Sequence, residues 1–264
     1  MESYIKFEEE KHQYFDPEGN EYTSVSRVLG EVKAPFERNA ISIAVAKRDG
    51  LTQEAVLADW DAKRDSAAEW GTKVHNGLES WFKDRVLTIE DPSFQKALAY
   101  LDTLFGDYHM CMEEYLLHSK AHHVAGTADK VCFRQRSQSP VVDYWDYKTN
   151  EAKGITYDSI GVDKKTGRPK HYNRYMQKPV AHLEDCLFSQ YSLQLSIYAL
   201  LGEIENGWKP GKLAIVFIDK LYHCTIIPVP YMRAEALAIL DLYKKNIKKE
   251  KKQSTDWSSV IQSF

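Results

Sequence analysis

The stretch VVDYWDYKTN, residues 141–150, decides how the rest of the chain is read. Its Val, Tyr and Trp suit the pleated, half-buried surface of a strand, and Thr149-Asn150 closes the run as a turn begins. Side chains alternate along a strand with period two, so Asp146 and Lys148 point the same way, with one residue between them. In a strand that crosses a packed sheet, such a pair is either a surface ion pair or the flank of something that needs both a carboxylate and a cation. Asp143 is the rival carboxylate. It shares the opposite face with Trp145 and Tyr147 and has no lysine two positions on, so the expectation falls on Asp146.

Working outward, CMEEYLLHS (111–119) and HHVAGTADKVCFRQ (122–135) also read as strands, and RQRSQSP (134–140) is the polar turn before residue 141. Within GTADKV (126–131), Asp129 interrupts an otherwise apolar strand beside Val131 and Phe133, while Gly126 permits close backbone approach. An inward carboxylate is costly unless it is paired or bound to metal. Strand pairing through the polar turn would bring Asp129 and Asp146 together near one end of a sheet. Two converging carboxylates repel and call for a cation, for which Mg²⁺ or Mn²⁺ suits hard oxygen ligands, with Lys148 beside it. Phosphodiester hydrolysis fits such a site. A metal acidifies its bound water and neutralises phosphate charge, and a lysine orients the attacking water or steadies the charged transition state. Glu114, on the preceding strand, is either an additional acidic group of the site or a group behind it.

Elsewhere, residues 3–24 alternate and break at DPEGNE, a hairpin leading to a helix start at SVSRVL. Residues 39–105 are helical in pattern: Ala67, Trp70, Val74, Leu78 and Trp81 recur at three and four, and Pro92 opens a further helix. Residues 150–185 lack periodicity and read as a long loop or insertion. DCLFSQYSLQLSIYALLGEI (185–204) is a helix, KLAIVFID and LYHCTIIPVP form a hairpin, and YMRAEALAILDLYKKNIKKEKK closes the chain as a helix before a polar tail. The fold class is mixed α/β, a central mixed sheet flanked by helices with a helical N-terminal part.

At 264 residues, 43% apolar and 28% charged, the chain has the composition of an ordinary soluble globule with a full core. No apolar run approaches the roughly 20 residues that span a bilayer, and MESYIKFEEEKHQ lacks the apolar segment of a secretion signal. A cytoplasmic protein is expected, without membrane partners. Cys111, Cys132, Cys186 and Cys224 are scattered, so reduced thiols are expected. A net charge of −3 excludes a bulk nucleic-acid coat. Lys164, Lys165, Arg168, Lys170, Arg174 and Lys178 nonetheless follow one another without an acid, and YKKNIKKEKK (243–252) is a second basic run. Each is either a solvated face or one groove for a polyanion. His118, His122, His123, His171, His182 and His223 are expected at the surface, since alternation splits HSKAHH between faces.

Asp129, a gap, then Asp146-Tyr147-Lys148-Thr149 resembles the PD-(D/E)XK nuclease superfamily in its RecB-like exonuclease branch, of the phage type and the mitochondrial genome maintenance type. That branch also carries a histidine on an upstream helix and a downstream helical Q-x-x-x-Y. GTKVHNGLESW supplies His75, and QYSLQLSIYALL supplies Gln194 and Tyr198. The four ordered features span residues 71–201, and YTSVSRVLG is similar to the N-terminal segment of the same relatives. Ala128 stands where the family's first motif usually has proline. Taken over residue by residue, the resemblance implies that His75, Asp129 and Asp146 ligate metal with the Tyr147 carbonyl. Lys148 is then the catalytic lysine, Gln194 and Tyr198 face the site or the DNA, and Gln190 extends their stripe. The cysteine spacing does not match the iron–sulfur-bearing members, so no cluster is expected.

The chain then divides into an N-terminal hairpin and helix start (1–30), a helical part carrying His75 (31–108), and a restriction-endonuclease-like core (109–230) with a basic insertion (150–185). A C-terminal helix and tail follow (231–264). The expected activity is a Mg²⁺- or Mn²⁺-dependent DNA exonuclease acting on single strands or ends in replication, repair or recombination, alone or with other proteins of those processes. The expected setting is nucleoid-associated, or a phage protein in the host cytoplasm. Lys164, Lys165, Arg168, Lys170 and Arg174 would contact phosphates, and Tyr172, Tyr175 and the tryptophans would stack on bases. The rivals are a ring-forming double-strand exonuclease of the phage recombination type, a structure-specific endonuclease, and a catalytically silent DNA-binding module. Each residue also has an ordinary role open to it: His75 in a helix, Asp129 and Asp146 at hairpin ends, Lys148 in a surface pair, Gln194 and Tyr198 at a core edge.

Overall fold

Strand alternation and helical periodicity resolve into a mixed sheet with helices on both faces. The computed structural model describes residues 4–11, 13–149, 154–163 and 166–261. In chain order the elements are β1 (Lys6–Glu8), β2 (Gln13–Phe15), β3 (Glu21–Ser24), α1 (Val25–Gly30), α2 (Arg38–Asp49), α3 (Gln53–Asp84), α4 (Pro92–Phe105), β4 (Met110–Ser119), β5 (Val124–Phe133) and β6 (Val141–Lys148). They continue with β7 (Ile160–Val162), β8 (Pro169–His171), α5 (Leu187–Asn206), β9 (Lys209–Ile218), β10 (Cys224–Val229) and α6 (Arg233–Ile261). Polar caps set the helix starts. Ser24 accepts from Arg27 N, Thr52 from Ala55 N, and Asp91 from Ser93 N just ahead of Pro92 in the first turn of α4.

The sheet order is β1-β2-β3-β5-β6-β9-β10, with β4 paired to β5. β3–β5 and β6–β9 are parallel and the other pairs antiparallel. Both faces of β6 are covered, which is why VVDYWDYK shows no polar face. Tyr144 and Val142 pack with Ile215, Leu193, Ile197 and Leu240 beneath α1, α5 and α6. Trp145 and Tyr147 pack with Val216, Val74, Leu78, Phe94 and Leu98 beneath α3 and α4. Each fully buried aliphatic or Phe side chain there contributes about 1.5–3 kcal/mol. Asp143 is also buried in this sandwich. It is neutralised by Arg134 at 2.9 Å and accepts hydrogen bonds from Tyr108 Oη at 2.6 Å and Lys212 N at 2.7 Å.

The structure differs from the sequence-based expectation at several points. Residues 160–162 and 169–171 are not loop: β7 and β8 pair as two antiparallel strands of three residues each, too short to show alternation. The N-terminal hairpin joins the main sheet, because β3 lies parallel to β5 at Thr23↔Val124 and Ser24↔Ala125. Cys111 and Cys132 are joined in a disulfide, since the β4–β5 register sets them directly opposite with Cα atoms 4.1 Å apart. His122 is buried rather than superficial, held by Ser119 Oγ 2.9 Å from its Nδ1. No helix among the described residues is long and apolar enough to cross a membrane.

Candidate active site

The site opens where one edge of β5 loses its partner. β4 runs along one edge of β5 from residue 124 to residue 133, paired at every position but one. The other edge is shared: β3 pairs at residues 124–125 and β6 at residues 130–133. Residues 126–129 between them have no strand neighbour on that side. The β5–β6 register is Lys130↔Trp145, and one further step would set Asp129 against Asp146. The ladder stops there. In place of a backbone carbonyl, the Asp129 carboxylate accepts the Tyr147 N–H at 2.6 Å. β6 itself runs on against β9 through Lys148↔Phe217, so Asp146 and Lys148 stay on supported backbone.

On the other side of Asp129, the β4–β5 pairing skips the single position that would match Glu114 with Asp129. Glu114 has φ +48°, a left-handed conformation that is strained for a residue with a side chain. Such strain persists where the surroundings enforce it, commonly at functional sites. Three acids therefore lie in a row across three strands: Glu114, Asp129, Asp146. One ligand atom each from His75, Glu114 and Asp129 falls within 4.8 Å of the others. Asp146 stands outside that set but close enough for Asp129 and His75 to act on its charge.

His75 reaches in from α3. Its Nε2 lies 3.1 Å from the Tyr147 carbonyl, which can only accept, so that nitrogen carries the proton. The Nδ1 lone pair is thereby left facing Asp129 Oδ2 at 3.8 Å, an orientation suited to ligation. The Tyr147 carbonyl, assigned to a metal from the resemblance, here serves to orient the histidine.

Lys148 behaves as period-two alternation requires: its Nζ meets Asp146 Oδ2 at 2.5 Å. Asp146 is 1% exposed, and beyond that ion pair its Oδ2 receives no hydrogen bond among the described residues. Burial raises the Asp146 pKa against the pull of Lys148, with Asp129 adding to the rise. Burial alone would lower Lys148, yet Asp146 and Asp129 more than offset it and keep the ammonium firmly charged. Glu114 is pushed up to about 8, first by burial and then by Asp129 and Glu79. The site thus concentrates more negative charge than its own residues balance. Its donors are carboxylate oxygens with one imidazole, a set suited to Mn²⁺ or Mg²⁺.

A cavity of about 280 Å³ holds His75, Glu114 and Asp129 together with Gln194, Tyr198, Ser24 and Ser26. Gln194 Nε2 donates to Tyr198 Oη at 3.1 Å, so the Q-x-x-x-Y pair lines the cavity as a hydrogen-bonded unit. Gly126 is required for this arrangement, since a β-carbon there would come within 2.7 Å of Tyr198 Cε1. Gln190 does not line this cavity; it donates to Asp185 at 2.7 Å. Arg174 also turns to Asp185, at 3.2 Å, and donates to the Ala34 carbonyl. Lys170 lies 3.6 Å from Asp163 on the exposed β7–β8 hairpin, where Arg168 is exposed as well. Lys164 and Lys165 lie outside the described residues. Sequence reasoning missed Tyr191, whose ring centroid lies 4.8 Å from Lys148 Nζ, and Asp185, a buried acid beneath the insertion. Tyr191 was legible from helical spacing, three residues before Gln194.

No family model and no curated protein matches this chain. Among solved structures, a candidate exonuclease from Eubacterium rectale is similar with a TM-score of 0.35 and 10% identity, over 86% of this chain and 79% of that one. The class the coordinates define is a mixed α/β protein with a central sheet flanked by helices, bearing an acidic pocket where β5 and β6 part.

Proposed function

We propose that this protein is a metal-dependent deoxyribonuclease that hydrolyses phosphodiester bonds from an end, with single-stranded DNA or frayed ends as substrate. One observation carries the reading: Asp129 shares a cavity with His75 and Glu114 where β5 and β6 part, and the buried Asp146–Lys148 pair lies on the neighbouring strand. Asp129, Glu114 and His75 would hold a Mg²⁺ or Mn²⁺ ion, with Asp146 the further oxygen donor. When bound, the ion would acidify water and neutralise phosphate charge. Lys148, fixed by Asp146 and by the face of Tyr191, donates hydrogen bonds to the attacking water or to a non-bridging phosphate oxygen. Water adds to phosphorus as the bond to the leaving sugar oxygen breaks, and that oxygen takes a proton. Gln194 and Tyr198 form the wall against which the strand is positioned. The connector between α1 and α2 is tied to the insertion by Gln177 N→Val32 O at 2.7 Å.

The test is end-labelled DNA, single-stranded, duplex and covalently closed circular, incubated with Mn²⁺ or Mg²⁺. Wild type is expected to shorten linear strands and spare circles, and Lys148→Ala to slow cleavage about a hundredfold or more. Cleavage that survives unchanged in Lys148→Ala refutes the assignment.

A further inference from the structure

The histidine of the site comes from a helix that the sheet holds by a narrow stripe. Of the 32 residues of α3, Val56, Val74, Gly77 and Leu78 are buried, and Trp70, Trp81 and Phe82 are partly so. Apolar contact carries little direction, so a stripe of this kind by itself lets a helix roll or slide. His75 nevertheless has to meet the Tyr147 carbonyl at 3.1 Å with Nε2 while its Nδ1 faces Asp129 at 3.8 Å.

A buried charge lies where α3 could be fixed. Lys130 is 1% exposed, although no substrate or metal role falls to it. The β4–β5 register sets it opposite Glu113, with which it forms an ion pair. Its Nζ also lies 3.6 Å from the ring centroid of Phe82 on α3 and 4.4 Å from that of Phe105 on α4. The two rings meet edge to face, with centroids 5.6 Å apart. Phe82 follows His75 by seven residues, so both lie on one face of α3, about 10 Å apart along its axis. At the other end of the junction, Glu113 and Lys130 are the chain neighbours of Glu114 and Asp129.

Stability does not account for such a pair. Desolvating an ammonium and a carboxylate offsets most of their attraction, and well-packed apolar residues of similar volume do as well or better. What the charges add is direction. One ammonium has to meet a carboxylate on β4 and the faces of rings on two helices, and a roll of α3 would break the contact to Phe82.

Resting on the metal-dependent nuclease reading, we propose that Lys130 and Glu113 are positioning residues: their buried junction with Phe82 and Phe105 fixes α3 against β4 and β5, so that His75 reaches Asp129 and the Tyr147 carbonyl.

The test replaces the pair by Lys130→Met with Glu113→Leu, which removes one charge of each sign and keeps the volume. Thermal stability should equal or exceed that of wild type. Mn²⁺ affinity by calorimetry should nonetheless fall about tenfold, the loss expected when support behind a ligand is removed. A second readout needs no metal. The His75 and Tyr147 rings lie edge-on with centroids 5.9 Å apart, so their ring protons should cross-relax in EDTA. The signal is read in deuterated protein carrying protonated His and Tyr, and is assigned by its loss in His75→Gln. It should be present in wild type and lost in the double variant. Should that variant melt early, Phe82→Leu, which leaves both charges in place, should lose the signal as well. Asp143→Ala, destabilised at a distance from this junction, should keep it. Wild-type signal and affinity in the double variant overturn the proposal, as does equal loss of the signal in Asp143→Ala. Failure of wild type to bind Mn²⁺ strikes the nuclease reading instead, and the signal in EDTA still judges the junction.

Discussion

Replacing Glu114 by Gln isolates the electrostatic cost of the pocket. The Glu114 pKa rises from 4.5 to about 8, largely through burial and then through Asp129 and Glu79. The sign follows from linkage. An acid whose folded pKa lies above its unfolded value keeps a proton in the native state that the unfolded chain releases, so stability falls as pH rises from about 4.5 to about 8 and levels off above. Each unit of separation corresponds to about 1.4 kcal/mol. With a discount for the partial exposure of the group, the metal-free protein should lose about 3 kcal/mol across that window through this residue. For a chain of this size that is roughly 5–10 °C in melting temperature. Gln fits the same volume, cannot ionise, and gives up no hydrogen bond that Glu114 makes among the described residues. In EDTA, thermal melts from pH 5 to 9 should therefore show wild type declining and Glu114→Gln markedly flatter, so that the variant is the more stable protein at pH 8. Mn²⁺ should reverse the order, stabilising wild type by binding the native state and the variant far less. Parallel melting curves for the two proteins in EDTA would refute the reasoning, because the carboxylate would then not be carrying the repulsion.

Other substitutions separate the site from its scaffold. Asp143→Ala removes a buried charge that holds Arg134, Tyr108 and Lys212 N, and should cost about 3 kcal/mol in urea melts while Mn²⁺ affinity by calorimetry stays within about twofold. A large loss of metal affinity there would reverse the choice of Asp146 over Asp143. Gly126→Ala places a β-carbon 2.7 Å from Tyr198 Cε1 and 2.9 Å from Val25 Cγ2, overpacking expected to cost about 1–3 kcal/mol. Because the displaced ring carries the Gln194 hydrogen bond, cleavage should fall more than stability alone would explain; unaltered activity would show that the Tyr198 wall is not needed.

Much of the candidate site was legible in residues 126–148. Period-two alternation placed Asp146 and Lys148 on one face, and the structure brings them to 2.5 Å. The same alternation put Asp143 on the far face, where packing and Arg134 account for it. An acid inside an apolar strand marked Asp129; helical periodicity marked α3 as a helix, but it was the resemblance and not the periodicity that singled out His75 on it. The basic insertion misled in part, because composition records charge and not partners. Arg174 looked available for phosphate and is bound to Asp185 and Ala34 instead.

Local patterns fixed which residues form strands and helices and which side chains share a face, since both follow from backbone geometry that each residue carries with it. Long-range pairing decided the rest. That β3 and β6 divide one edge of β5 and leave a gap at Asp129, and that Glu114 falls opposite Asp129 in a strained conformation, both depend on segments far apart in the chain meeting. Sequence spacing holds no record of those distances; only the closing of the sheet and the packing of both its faces sets them.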